Sequence, residues 1–182
     1  QAIKYAILRG LAKSSLLLTI GGSSVGEADL VSKTLQTLTP TMHKHGLKLH
    51  PGRVAGCCVI NDKAVIILPG LIQSTVNAFV YLALPLIKKL SGQEATRYDA
   101  AVRARLAEDL VFHRFPDFKK MTWVSLQRED KELVAYPIRG DSPMLNVLVR
   151  ADGYVLTEPN RMFVKKDTYV DVALVAGLSS LP

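Results

Sequence analysis

Apolar positions at Ile3, Ala6, Ile7 and Leu11 recur at helical spacing and predict an amphipathic helix over Ala2–Ala12. Gln1 supplies no capping side chain, so this helix lacks a start signal. Ser15–Ile20 is a nearly unbroken apolar run, SLLLTI, the pattern of a strand covered on both faces in a parallel sheet. Gly21 to Gly26 follows, and then a second helical pattern carried by Ala28, Leu30, Val31, Leu35 and Leu38, ended by Pro40. Lys44–His50 and Arg53–Ile60 read as extended around a Pro51-Gly52 turn. Asn61-Asp62-Lys63 reads as a hairpin turn into the β-rich run Ala64–Leu68. Pro69-Gly70 opens a loop into a third helix, roughly Ser74–Leu90, with Ser91-Gly92 as its stop.

Past Gly92 the period changes. Val102, Ala104 and Leu106 alternate with Arg103 and Arg105. Met121–Gln127 and Leu133–Ile138 form a second pair of β runs, with the charged stretch Arg128–Glu132 as the turn between them. Ser142-Pro143 suits the start of a short helix over Met144–Val149. Asp152-Gly153 turns into Tyr154–Thr157, and Thr168–Val175 alternates again. The fold class is therefore α/β over residues 1–95, followed by a small, mostly antiparallel β domain, a barrel or roll, over 96–182. In the α/β part, ligands are expected at the carboxyl ends of the strands.

Composition changes this picture little. Of 182 residues 48% are hydrophobic and 21% charged, the balance of a packed chain and not of a disordered one. The most apolar stretch, Ser74–Leu90, contains Asn77 and ends in Lys88-Lys89, so it reads as a buried helix and not as a membrane span. No secretory signal pattern opens the sequence. The net charge of +7 is spread over pairs such as Lys119-Lys120 and Lys165-Lys166, without a basic run or interleaved aromatics, so nucleic acid is not the expected partner. Cys57 and Cys58 are adjacent and point to opposite faces of a strand, which fits a reducing, cytoplasmic compartment.

Three segments carry candidate chemistry. The strand–Gly21-Gly22-Ser23-Ser24-Val25-Gly26–helix junction lets backbone N–H groups approach a phosphate, with serine hydroxyls as further donors. The same segment also reads as a structural turn in which Ser23 or Ser24 caps the helix. Asp29, with Glu27 in the same first turn, either stabilises the helix dipole or holds a divalent cation on ligand phosphates. In His50-Pro51-Gly52-Arg53, Arg53 can clamp an oxyanion or simply flank a turn. Leu68-Pro69-Gly70 is a further strand end meeting a helix. His43, His45 and His50 lie close together in sequence but without other ligands at metal spacing.

Taken together these segments resemble the molybdenum insertase family of molybdenum-cofactor biosynthesis, the MoeA and gephyrin E-domain type. The likeness is carried by Gly21-Gly22-Ser23-Ser24-Val25-Gly26-Glu27-Ala28-Asp29, the Pro51-Gly52 turn and Leu68-Pro69-Gly70 with a helix ending Lys89-Leu90-Ser91-Gly92. It continues in Arg139-Gly140-Asp141-Ser142-Pro143-Met144-Leu145 followed by Ala151-Asp152-Gly153. The resemblance implies the later part of a MogA-like α/β domain and then a C-terminal β domain. It also implies a homodimer that inserts molybdate into adenylylated molybdopterin and releases AMP with Mg²⁺, among other cofactor-biosynthesis proteins.

By position, Asp29 would be the catalytic and metal-binding aspartate. Gly21, Gly22, Ser23, Ser24, Gly26, His50, Arg53, Pro69, Gly70 and Ser74 would bind the pterin nucleotide. His50 and Arg53 stand where the family has lysines, and Leu71-Ile72 where it has Asn-Pro. The alternative is a non-catalytic binding or scaffold module of the same family. The family's N-terminal domains lie outside this sequence, which implies a piece of a longer protein or a missing part supplied elsewhere.

Overall fold

The computed structural model describes residues 1–22, 29–93, 101–140 and 144–175. The chain divides into two compact units. One comprises Gln1–Leu47 and Gly52–Ala95, the other Lys48–Pro51 and Thr96–Pro182.

The first unit contains α1 (Ala2–Lys13), β1 (Leu16–Ile20), α2 (Leu30–Gln36) and β2 (Met42–His45). The short β3 (Leu49–His50) comes next in sequence but belongs to the second unit. The first unit continues with β4 (Gly56–Ile60), β5 (Lys63–Leu68), α3 (Ile72–Ala78) and α4 (Leu84–Leu90). Its sheet has the order β1-β5-β4-β2. Only β1 and β5 run parallel, and β4 is antiparallel to both neighbours, so the sheet is mixed and not parallel throughout. The side-chain period of two splits the apolar runs between two faces. Leu17, Cys58, Ile60, Val65 and Ile67 pack under α1 and α2 with Ile7, Leu11, Val31 and Leu35. Leu16, Leu18, Cys57, Ile66 and Leu68 pack on the other face with Ala78, Phe79 and Leu86. Adjacent Cys57 and Cys58 therefore serve different cores.

Local chemistry explains the connections. Asn61 and Asp62 both adopt positive φ, 49° and 60°, the conformation that a two-residue hairpin between β4 and β5 requires. The third helix is not uniform: a π-helical turn, Phe79–Ala83, separates α3 from α4. Pro85 explains the departure, because it lacks an N–H and its ring crowds the preceding turn. Gly92 ends α4 at φ 75°, with Gln93 N–H donating to the Lys88 carbonyl at 2.9 Å.

The second unit contains β3, β6 (Ala101–Leu106), β7 (Leu110–Val111), β8 (Lys119–Glu129) and β9 (Glu132–Pro137). After these come α5 (Leu145–Val149), β10 (Gly153–Thr157), β11 (Phe163–Val164) and β12 (Tyr169–Leu174). The ladder β10-β12-β6-β9-β8 returns to β10 and closes a five-stranded barrel. One seam, β6 with β9, is parallel and the other four are antiparallel. Ala104, Leu106, Val124, Leu126, Val155 and Val172 fill the interior. β3 pairs in parallel with the start of β8, which draws Lys48–Pro51 into this unit.

The charged stretch Arg128–Glu132 is shorter as a turn than its composition suggests. β8 and β9 run on to Glu129 and Glu132, which face each other across the ladder. The Arg105 guanidinium pairs with both, at 3.1 and 3.3 Å, and offsets their repulsion. β7 and β11 form a small ribbon that periodicity did not predict. Among the described residues no helix is long and apolar enough to cross a membrane.

Candidate functional site

The parallel register of β1 and β5 sets Ile20 beside Leu68, so the two loops that follow emerge together. Gly21 N–H donates to the Leu68 carbonyl at 3.0 Å. A Cβ on Gly70 would lie 3.6 Å from the Gly21 Cα. Gly21 and Gly22 adopt φ 80° and 65°, and a Cβ on Gly22 would lie 2.9 Å from Val31 Cγ2. Both glycines are therefore required by backbone conformation, and the second also by the close approach of α2. Pro69 is buried, and its carbonyl accepts from Thr75 Oγ1 at 2.5 Å. Ser74 is buried in the first turn of α3 beside Gln73, with Asn77 buried one turn on. Ser23, Ser24 and Gly26, with Glu27, lie outside the described residues.

Asp29 is the N-cap of α2; the capping reading placed on Ser23 and Ser24 falls on residues outside those described. Asp29 Oδ1 accepts from Ser32 N–H at 3.0 Å. Its Oδ2 lies 3.1 Å from Nδ1 of His45, the last residue of β2. The antiparallel registers explain the meeting: His45 faces Gly56, and Gly56 faces Ile67, so His45 sits at the same sheet end as Leu68. His45 Nε2 lies 3.1 Å from the Val54 carbonyl. His43, two residues back on the same face, approaches Ser32 Oγ at 3.2 Å. Burial, with the neighbouring His45 adding to it, pulls the His43 imidazole below its usual range, against the opposing pull of Asp29.

Arg53 is exposed in the first unit, and its carbonyl accepts from Leu47 N–H at 3.0 Å. His50 belongs to the second unit, where its ring packs 5.1 Å from that of Phe115. Gly21, Gly22, Pro69, Gly70, Ser74 and Asp29 thus belong to one unit, and the two glycine-bearing loops are in contact.

His45 is the residue that sequence reasoning missed. The signal available was its two-residue spacing from His43, which places both rings on one strand face. Asp29 can be tested as a cation ligand on this geometry. One of its oxygens already accepts from Ser32 N–H and the other lies 3.1 Å from His45 Nδ1, and among the described residues no group of three or more His, Cys, Asp or Glu side chains could hold a metal ion. Mg²⁺ favours an octahedral oxygen shell with one or two carboxylates, and a metal at Asp29 would sit against the His45 ring. The described residues do not fit a metal at this carboxylate.

Fold and site together define a class: an α/β unit with paired glycine junctions, followed in sequence by a closed five-stranded barrel. Comparison with known proteins makes this specific. The family described as "Probable molybdopterin binding domain" matches residues 1–89. The family described as "MoeA C-terminal region (domain IV)" matches residues 103–175. The chain belongs to the MoeA-like family of molybdopterin biosynthesis proteins.

A protein of Methanocaldococcus jannaschii assigned to molybdopterin biosynthesis is 28% identical over 96% of this chain and 40% of its own length. The Drosophila melanogaster molybdenum cofactor synthesis protein cinnamon is 25% identical over 71% of this chain and 22% of its own. The crystal structure of a molybdopterin biosynthesis MoeA protein from Pyrococcus horikoshii superposes with a TM-score of 0.77 at 26% identity, over 97% of this chain and 41% of that one. The chain thus spans well under two thirds of the length of these relatives.

Proposed function

We propose that this chain carries the pterin-nucleotide end of a molybdate-inserting protein. In this reading it takes adenylylated molybdopterin, molybdate enters at the dithiolene, and AMP leaves. The observation that carries the reading is the contact between the Gly21-Gly22 and Pro69-Gly70 junctions at the carboxyl ends of a parallel strand pair. Backbone there approaches a ligand without side chains in the way, as a phosphate requires. The α/β unit is then the later part of a MogA-like domain. Asp29 faces the reacting phosphates, while Ser23, Ser24, Gly26 and Ser74 contribute donors. Arg53, in the same unit as the glycine junctions, holds the anionic substrate. Mg²⁺, in this reading, travels with the substrate's own phosphates. A cytoplasmic homodimer working with other cofactor-biosynthesis proteins completes the proposal.

A second reading, a non-catalytic module of the same family, is favoured by one feature. Leu71 and Ile72 are exposed apolar side chains at the rim of the junction, where the resemblance calls for Asn-Pro. Calorimetric titration of adenylylated molybdopterin in magnesium buffer tests binding, and AMP release tests turnover. Asp29→Asn keeps an oxygen for the helix cap. It is expected to bind at least about tenfold more weakly, about 1.4 kcal/mol. Absence of binding by the unaltered chain refutes the first reading, and binding without AMP release selects the second.

A further inference from the structure

Lys120, near the start of β8, is a lysine only 2% exposed. A buried ammonium is costly unless it is hydrogen-bonded. Its partners here are backbone: Nζ donates to the Phe115 carbonyl and, at 2.9 Å, to the Phe118 carbonyl. It also lies 5.8 Å from the centre of the Phe112 ring. Burial pulls this ammonium below the ordinary lysine range, against the opposing pull of Asp117. The two carbonyls bracket a tight turn, in which Phe118 N–H donates back to the Phe115 carbonyl at 3.0 Å. Phe115 sits at φ 55°, a left-handed conformation that a bulky residue keeps only where its surroundings impose it. The Lys120 ammonium supplies that constraint.

The turn so fixed meets a strap. Lys48–Pro51 belongs to the second unit, while the residues on either side of it belong to the first. The sheet holds the strap at two positions, Leu49 beside Lys119 and His50 beside Lys120, and so short a parallel pairing is a weak hold. The turn adds two side-chain contacts. The Phe115 ring lies 5.1 Å from that of His50, and the Asp117 carboxylate lies 3.0 Å from Lys48 Nζ. The second contact is an ion pair between exposed groups and contributes little. We infer that Lys120 is the positioning residue of a clasp: its ammonium fixes the Phe115–Phe118 turn in the shape that grips the strap, and the strap opens and closes by itself, apart from unfolding of the barrel. The clasp shares no residue with the proposed ligand site, so it stands or falls separately from that reading.

Amide hydrogen exchange followed by NMR tests the clasp without any ligand. Lys119 N–H donates to the Lys48 carbonyl at 2.9 Å and reports on the strap, and Phe118 N–H reports on the turn. Ile138 N–H, donating to the Trp123 carbonyl at 2.9 Å, and Asp152 N–H, donating to the Val124 carbonyl at 3.0 Å, report on the barrel. Lys120→Met keeps the length of the side chain and removes its charge and donors. It is expected to speed exchange at Lys119 and Phe118 at least about tenfold, with Ile138 and Asp152 unchanged. Asp117→Asn, which removes only the exposed ion pair, should change the Lys119 rate less than about fivefold. Unchanged exchange at Lys119 in Lys120→Met overturns the inference. Equal acceleration at all four amides does so too, because it is what a merely structural core lysine would give. Should Lys120→Met fail to fold, exchange of the unaltered chain in rising, sub-denaturing urea decides. Lys119 and Phe118 are then expected to exchange through a smaller opening than Ile138 and Asp152, and a single opening shared by all four overturns the clasp.

Discussion

Gly153 opens the strand that closes the barrel, and Gly153→Ala tests that closure directly. On one side it pairs with Leu174 of β12 and on the other with Val124 of β8. A Cβ at this position would lie 2.4 Å from the Ala173 carbonyl oxygen and 2.8 Å from Val172 Cγ1. Comfortable carbon–oxygen contacts begin near ~3.3 Å, so the shortfall is about 0.9 Å. The obstacle is backbone and cannot rotate aside, so β10 must move off β12.

Overpacking of this kind costs about 1–3 kcal/mol, and loosening a ladder hydrogen bond adds about 1–3 kcal/mol. The stiffer unfolded chain returns about 0.4–1 kcal/mol. The expected net loss is about 1–6 kcal/mol, a large share of the stability of a domain. Trp123, the single tryptophan, reports it: the residue is buried in β8 and packs edge-on against Tyr154 at 5.4 Å, beside the altered residue. Urea unfolding followed by its fluorescence should show the midpoint fall with the slope unchanged. A loss below about 0.5 kcal/mol would refute the argument that Gly153 is there for the close approach.

Two further outcomes follow from buried groups in the first unit. Gln73 is buried and its Oε1 has no hydrogen-bond partner among the described residues, so Gln73→Leu should raise stability by about 1 kcal/mol in chemical denaturation; a loss would show that the oxygen is satisfied. Burial, with Cys57 adding to it, pushes the Cys58 thiol up to about 11 from an ordinary 9.0. The unfolded thiol therefore ionises first as pH rises, and the unfolded state then binds fewer protons than the native one. The stabilisation is present below about pH 9 and is lost as pH rises from about 9 to 11, by about 3 kcal/mol in all. Cys58→Ala should remove that part of the alkaline slope, and an unchanged slope would reject the assignment.

Periodicity made the elements of this chain legible because each reports which face of its own segment is apolar. The run at Leu16–Ile20 announces a strand covered on both sides, those at Gly56–Ile60 and Lys63–Leu68 announce strands, and Asn61-Asp62 announces the hairpin between these two. The Gly21-Gly22 and Pro69-Gly70 junctions were likewise visible as glycine-bearing strand ends. Other features depend on partners distant in sequence, and no local pattern encodes those. The parallel β6–β9 seam, the capture of Leu49–His50 by β8 and the closing contact of β10 with β8 are choices among strands that look alike in isolation. Asp29 and His45 are brought together by the same means. The sequence placed an acid at a helix start and a histidine in an extended run, but strand register and helix packing brought them to 3.1 Å of each other. Hydrophobic patterning reports what a segment hides, whereas register, set by the whole sheet, decides what it faces.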